Sequence, residues 1–251
     1  PTILSDALAV SFDNHIGHDY LQDYEERYES YHRKESRIQF DLEHFNKITK
    51  GGLPNKTLNI ALAGTGVGKS LFMCHHAASV LLEGKNVLYI TLEMAEEKIA
   101  ERIDANLLNV NIQDITDLPK PMFDKKVNSI AKKTQGTLII KEYPTASAHS
   151  GHFKSLLNEL ALKKSFKPDI IFIDYLNICA SSRYAKTANV NSYSYIKAIA
   201  EELRGLAVEA NLPIVSATQT TRSGYGSSDV DLTDTSESFG LPATADLMFA
   251  L

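Results

Sequence analysis

The residues able to do chemistry in this chain stand at the ends of short apolar runs. In ALAGTGVGKS (61–70), three glycines, a lysine and a hydroxyl follow an aliphatic run and open a helical one. The spacing is that of a phosphate-binding loop, G-x-x-x-x-G-K-[S/T], with Ala63 in the place of the first glycine. Backbone N–H groups at a helix start have no partner within the helix and can donate to phosphate oxygens. Gly64, Gly66 and Gly68 can adopt backbone conformations barred to residues with a Cβ. The loop, with Thr65 and Val67 between them, can therefore wrap closely around an anion. Lys69 would reach the β- and γ-phosphates, and the Ser70 hydroxyl would sit on Mg2+. The extra methyl of Ala63 fits if the strand ends with a negative φ, so the loop is expected to cradle a nucleotide.

Three further side chains occupy similar positions. Asp174 ends the apolar run IIFID, where a carboxylate can hold magnesium through water. Glu93 ends ITLE, where a carboxylate within hydrogen-bond reach of an aligned water can take its proton. The other reading of Glu93 is an acid capping, or lying in the first turn of, a helix beginning near Ala95. Gln219 ends PIVSATQ and could hydrogen-bond a γ-phosphate and report its loss to the loop that follows, or simply begin that loop.

These residues need a rigid frame, and the pattern supplies one. Runs at 57–63, 86–92, 137–143, 169–175, 213–219 and 246–251 are short and rich in β-branched and aliphatic residues. Helical stretches separate them, including SLFMCHHAASVLLEG, with Gly84 as a stop, and YIKAIAEELRGLAVEANLP. Near-continuous apolar strands alternating with helices imply an α/β fold with a mostly parallel sheet covered on both faces. The polar stretches 181–192 and 221–240 read as long loops, which in such sheets are commonly functional. Residues 1–36 differ: Tyr20, Tyr24, Tyr28 and Tyr31 recur at helical spacing among acidic residues. They are expected to form a packing stripe on a helix ahead of a main domain spanning 37–251.

Composition narrows the class. The chain of 251 residues is 43% hydrophobic and 23% charged, near globular averages. No run approaches the length of a membrane span, and the N-terminus lacks the basic and apolar regions of a signal peptide. The absent initiator Met suggests a piece of a longer protein. Cys74 and Cys179 are too few for a disulfide framework and imply a reducing, cytoplasmic compartment. The histidines, among them His75, His76, His149 and His152, lack metal-ligand spacing with cysteine and are expected at surface or helix positions. A net charge of −5 argues against a protein coated in basic charge but leaves room for a basic patch.

Taken in order, FNKITKGGLPNKTLNIALAGTGVGKS, ITLEM, IIFIDYLNI, LRGLAVEANLPIVSATQTTR and TSESFGLPATADL resemble the motor domain of DnaB-type hexameric replicative helicases, in the form found in T-even-type bacteriophages. The resemblance covers residues 38–251. It implies a RecA-like P-loop NTPase core preceded by a linker helix. It also implies a 5′→3′ helicase that encircles single-stranded DNA as a homohexamer, driven by ATP or GTP with Mg2+, with primase and a helicase loader as partners and the host cytoplasm as its location.

Position by position, Lys69 and Ser70 match the phosphate and magnesium contacts, Glu93 the catalytic base, Asp174 the Walker B acid and Gln219 the γ-phosphate sensor. Arg222 stands in the arginine position that follows. TSESFG corresponds to a DNA-binding loop that reads R-E-S-G-S in the family. Glu237 and Ser238 match it, whereas Ser236 replaces the arginine and Phe239 the glycine, ahead of Gly240. Backbone N–H groups would then hold the strand's phosphates. The loop at 181–192, with Arg183 and Lys186, would line the ring's inner wall or be an ordinary solvated loop. In the family the linker helix packs on a neighbouring subunit, which gives the tyrosine stripe a partner. The arginine finger and a neighbouring lysine are expected beyond Leu251, and the collar that commonly engages primase before Pro1. A filament-forming recombinase of the RecA type and an assembly ATPase without a DNA role share parts of this pattern.

Overall fold

The computed structural model describes residues 17–33, 35–184, 190–219 and 240–251. The chain divides into two units, residues 1–35 and 36–251.

In the first unit, helix α1 spans Tyr24–His32. Asp19 supports its approach by accepting from the backbone N–H groups of Leu21 and Gln22 at 3.0 and 2.9 Å. Glu25 and Glu26 in the first turn and His32 in the last complement the helix dipole. Tyr24, Tyr28 and Tyr31 lie on this helix, but Tyr20 sits in the turn before it. All four are exposed, and α1 buries no residue within its own unit.

The second unit begins with a two-stranded antiparallel sheet, β1 (Arg37–Ile38) against β2 (Leu53–Pro54), enclosing helix α2 (Glu43–Ile48). Gly52 makes this approach possible. Its φ of +114° favours glycine, and a Cβ there would lie 2.2 Å from the Ile38 carbonyl oxygen. Neither short strand has a period for sequence reading to detect.

Six parallel strands follow: β3 (Leu58–Ala63), β4 (Val87–Thr91), β5 (Leu138–Glu142), β6 (Ile170–Asp174), β7 (Ile214–Gln219) and β8 (Leu247–Ala250). Their order across the sheet is β5-β4-β6-β7-β3-β8. All six expected runs are strands, each trimmed at one or both ends. The helices between them are α3 (Lys69–Leu82), α4 (Glu96–Leu108), α5 (Lys120–Ala131), α6 (Ser150–Lys164), α7 (Ser192–Ala210) and α8 (Gly240–Thr244).

Strand residues alternate between two cores, as the two-residue period of a strand requires. Leu58, Ile60, Ile171, Ile173 and Ile214 pack with Phe153 of α6 and Ile199 and Leu203 of α7. Ala61, Tyr89, Phe172, Val215 and Ala217 pack with Met73 and Ala77 of α3 and Ile99 of α4. Burial on both faces of the central strands β3, β4, β6 and β7 explains why they read as near-continuous apolar runs.

Three expectations about Cys and His are sharpened. Cys74 and Cys179 are buried free thiols. His75 lies on the exposed side of α3, with its ring nitrogens beside Asn106 Oδ1 at 2.7 Å and Asp41 Oδ2. His76 is also on α3 but is not at the surface. It is 1% exposed, stacked on Phe40 at 4.5 Å and edge-on to Phe172 at 5.4 Å. Burial pushes its pKa down to about 4, so it is a neutral aromatic core residue at pH 7. The next residue on a helix turns by about 100°, which moves it from the solvent side to the core.

Candidate nucleotide site

The strand order brings the chemistry together. β4, β6, β7 and β3 are consecutive parallel neighbours, so their carboxyl ends share one edge of the sheet. Ala63 pairs with Gln219 across β3 and β7, and Thr91 pairs with Asp174 across β4 and β6. Ligands bind at this edge in open parallel sheets.

Ala63 is the buried last residue of β3 and is not among the residues of positive φ, so its methyl meets no backbone conflict. The loop then turns through Gly66 at φ +78° and Gly68 at φ +116°. Gly68 is the N-cap of α3, whose second and third turns are anchored by the buried Met73 and Ala77. Gly64 needs no positive φ, and its carbonyl accepts from Val67 N–H at 3.3 Å. Lys69, the first helical residue, is 8% exposed, and its ammonium lies 5.5 Å from the centre of the Tyr175 ring.

The loop floors a cleft of about 230 Å³. Thr65, Gly66, Gly68, Lys69, Ser70 and Leu71 come from the loop and the start of α3; Glu93, Met94, Arg102 and Gln219 line the rest. Glu93 is exposed in the turn after β4. Thr91 holds that turn: its hydroxyl donates to the Met94 carbonyl at 2.8 Å and accepts the Met94 N–H at 3.1 Å. The Leu92 N–H donates to the Asp174 carbonyl at 2.9 Å, which fixes the turn against β6. Helix α4 starts only at Glu96, with Ala95 as N-cap, and Glu96 and Glu97 supply the acids of its first turn. Glu93 therefore stands outside the helix and faces the cleft rather than serving its dipole. Gln219 is half-buried, and its Nε2, as assigned, donates to the Tyr175 hydroxyl at 3.3 Å.

Asp174 is fully buried at the end of β6, beneath the loop. Its Oδ2 accepts from the Tyr89 hydroxyl at 2.9 Å, and its Oδ1 has no protein hydrogen-bond partner. Burial raises its pKa; opposing this, in decreasing order, are the nearby Ser70 hydroxyl, the Tyr89 hydroxyl, Arg102 and Lys69. A buried carboxylate oxygen lacking a donor, close to a hydroxyl, is a hard-oxygen pair that fits a hydrated Mg2+ completing its shell with phosphate and water. No cluster of three or more His, Cys, Asp or Glu side chains able to hold a metal exists among the described residues.

Arg102 is the cleft residue that sequence reading missed. It lies beside Ile103 and one turn from Ile99, both buried, so the edge of the helix's apolar face turns it toward the cleft. The only signal was a cation flanking the apolar stripe of the helix after the Glu93 turn.

Of the residues expected to touch DNA, Arg183 and Gly240 are described, and neither lines this cleft. Arg183, half-exposed after β6, forms an ion pair with Glu201 of α7, which also lies 3.9 Å from Lys197. Just before it, Glu202 accepts from the Ser181 hydroxyl at 2.6 Å and the Ser182 N–H at 3.0 Å. Gly240 opens α8, is buried, and lies so close to Lys197 that a Cβ would sit 2.9 Å from that side chain. Lys186, Arg222, Ser236, Glu237, Ser238 and Phe239 fall outside the described residues.

The family model described as DnaB-like helicase C terminal domain matches residues 38–251. The chain belongs to this family. It is 50% identical over 254 aligned residues to the DnaB-like replicative helicase of Enterobacteria phage T4, covering all of this chain and 53% of that protein. It is 31% identical over 169 residues to a probable plasmid replicative DNA helicase of Chlamydia psittaci, covering 65% of this chain and 34% of that one. The chain thus spans about half or less of these relatives' length. This DnaB-like domain also superposes on solved structures. One is the structure of a DnaB-like replicative helicase and its interactions with primase, with a TM-score of 0.72, 20% identity and coverage of 99% of this chain and 60% of that one. Another is a solved ATPase domain, with a TM-score of 0.72, 19% identity and coverage of 91% of this chain and 80% of that one. Those likenesses establish the RecA-like fold.

Proposed function

We propose that this DnaB-like domain is the motor of a replicative DNA helicase, which hydrolyses ATP or GTP to travel 5′→3′ along single-stranded DNA as a ring of six. The observation that carries the reading is the single cleft lined by a phosphate loop, an exposed strand-end glutamate, a glutamine and an arginine, with a buried aspartate beneath.

In this cleft the N–H groups at the start of α3 and the Lys69 ammonium bind the phosphates. Glu93 accepts the proton of the attacking water. Gln219 bonds the γ-phosphate and, through Tyr175 and the strand it ends, is placed to register its loss. Arg102 adds a cation close to Asp174. Ser70 and Asp174 would hold Mg2+, which when bound neutralises charge on the phosphate oxygens. Water ordered against Glu93 and phosphate held against Lys69 are what hydrolysis requires, and positioning plus electrostatics supply most of the rate in such reactions.

The DNA-facing surface is assigned to the loop beginning at Ser181, with Arg183 and Lys186, and to the segment from Arg222 through Ser236, Glu237, Ser238, Phe239 and Gly240. Recognition of phosphates without bases suits a motor that must pass over any sequence. Primase and a loader are partners of the complete assembly in this reading; the solved DnaB-like replicative helicase described with its interactions with primase supports the first of them. The unit at 1–35 serves as a linker helix whose exposed tyrosines pack on a neighbouring copy. Replacing Tyr24 and Tyr28 together by serine is expected to lower the oligomer mass in light scattering; an unchanged mass would remove that role.

Unwinding of a forked duplex tests the function. With ATP or GTP and Mg2+ the full-length protein should open a fork bearing a 5′ single-stranded tail and not one bearing only a 3′ tail. A filament that exchanges strands without unwinding would favour a recombinase, and hydrolysis indifferent to single-stranded DNA would favour an assembly ATPase.

A further inference from the structure

Beneath the cleft lies a buried polar chain that runs through a tyrosine in the middle of β4. The Cys74 thiol of α3 donates to the Tyr89 hydroxyl oxygen at 3.7 Å, and the Tyr89 hydroxyl donates to Asp174 Oδ2 at 2.9 Å. All three side chains are 0% exposed. A tyrosine hydroxyl has one proton to give, and this one is committed to the carboxylate. The other carboxylate oxygen, Oδ1, has no protein donor. The ring is held independently, nearly parallel to Phe172 with centroids 5.9 Å apart.

We propose that Tyr89 is a positioning residue for the metal: its hydroxyl occupies Oδ2 and fixes the carboxylate's rotation, leaving Oδ1 to the hydrated magnesium. This rests on the nucleotide-site reading above. Partners behind metal-binding groups commonly set about 10- to 100-fold of metal affinity. Nothing in the strand pattern marks Tyr89 out, because an aromatic residue in a buried strand reads as core.

Tyr89→Phe deletes one oxygen and leaves the ring packing in place. Binding of a fluorescent ATP analogue, followed while Mg2+ is titrated into the full protein, reads the metal's contribution without depending on turnover. The expected result is a half-saturating Mg2+ concentration about tenfold higher than wild type, with nucleotide affinity in EDTA unchanged. A merely structural role would not produce that split. An unchanged Mg2+ dependence would overturn the proposal while leaving the nucleotide site intact. A wild-type protein that binds no nucleotide would instead overturn the site and this inference with it. Should the variant be less stable, the Mg2+-dependent rise in its melting temperature on adding nucleotide is a difference within one variant and still reports the effect. A rise equal to wild type's at every Mg2+ concentration would count against Tyr89.

Discussion

Glu93→Gln is expected to lower nucleotide hydrolysis by about 10²- to 10⁴-fold, the range that a positioned general base contributes. Nucleotide binding should change less than about threefold, since neutral glutamine keeps the side chain's size and cannot accept the water's proton. The structure gives a reason to expect this separation. Glu93 is exposed in a turn held by Thr91 and by the backbone bond from Leu92 to Asp174, so the substitution removes no core contact. Surface substitutions of this kind usually alter stability by no more than about 0.5 kcal/mol. Steady-state phosphate release, beside equilibrium binding of a labelled nucleotide, checks both halves. Unimpaired hydrolysis would remove Glu93 from the chemistry.

Lys69→Met should abolish hydrolysis and weaken nucleotide binding by roughly 10- to 100-fold, on the basis of about 1.5–3 kcal/mol for a charge-assisted hydrogen bond. Methionine is preferable to alanine because Lys69 is buried, with its ammonium near Tyr175. The change then removes the charge while keeping the apolar volume. Calorimetric titration with ATP in excess Mg2+ measures the loss. Affinity within twofold of wild type would mean that the ammonium does not reach the phosphates.

The sheet was legible because its central strands are buried on both faces: in β6, Ile171 and Ile173 serve one core, Ile170 and Phe172 the other, and no polar residue interrupts that run. The phosphate loop was legible because its glycines meet a backbone demand, visible here as positive φ at Gly66 and Gly68. That Glu93, Gln219 and the loop share a cleft followed only from strand order, which motifs alone do not give.

What escaped reading depends on helix rotation and on side-chain pairing across long separations. His76 lies one helical step from the partly exposed His75 and Arg102 one step from the buried Ile103, yet His76 is in the core and Arg102 lines the cleft. Tyr89 meets Asp174 across 85 positions of sequence. Arg183, read as a cation for DNA, is already paired with Glu201, so a phosphate approaching it must compete with that carboxylate. An exposed pair of this kind is worth only about 0–1 kcal/mol, a small barrier to such exchange.

Native mass spectrometry in the presence of a non-hydrolysable nucleotide, Mg2+ and a short single-stranded oligonucleotide addresses the ring motor most directly. A six-copy particle carrying nucleotides and one oligonucleotide, lost in Lys69→Met, is the expected outcome. Monomers without nucleotide, or an open-ended series of sizes along the oligonucleotide, would contradict it.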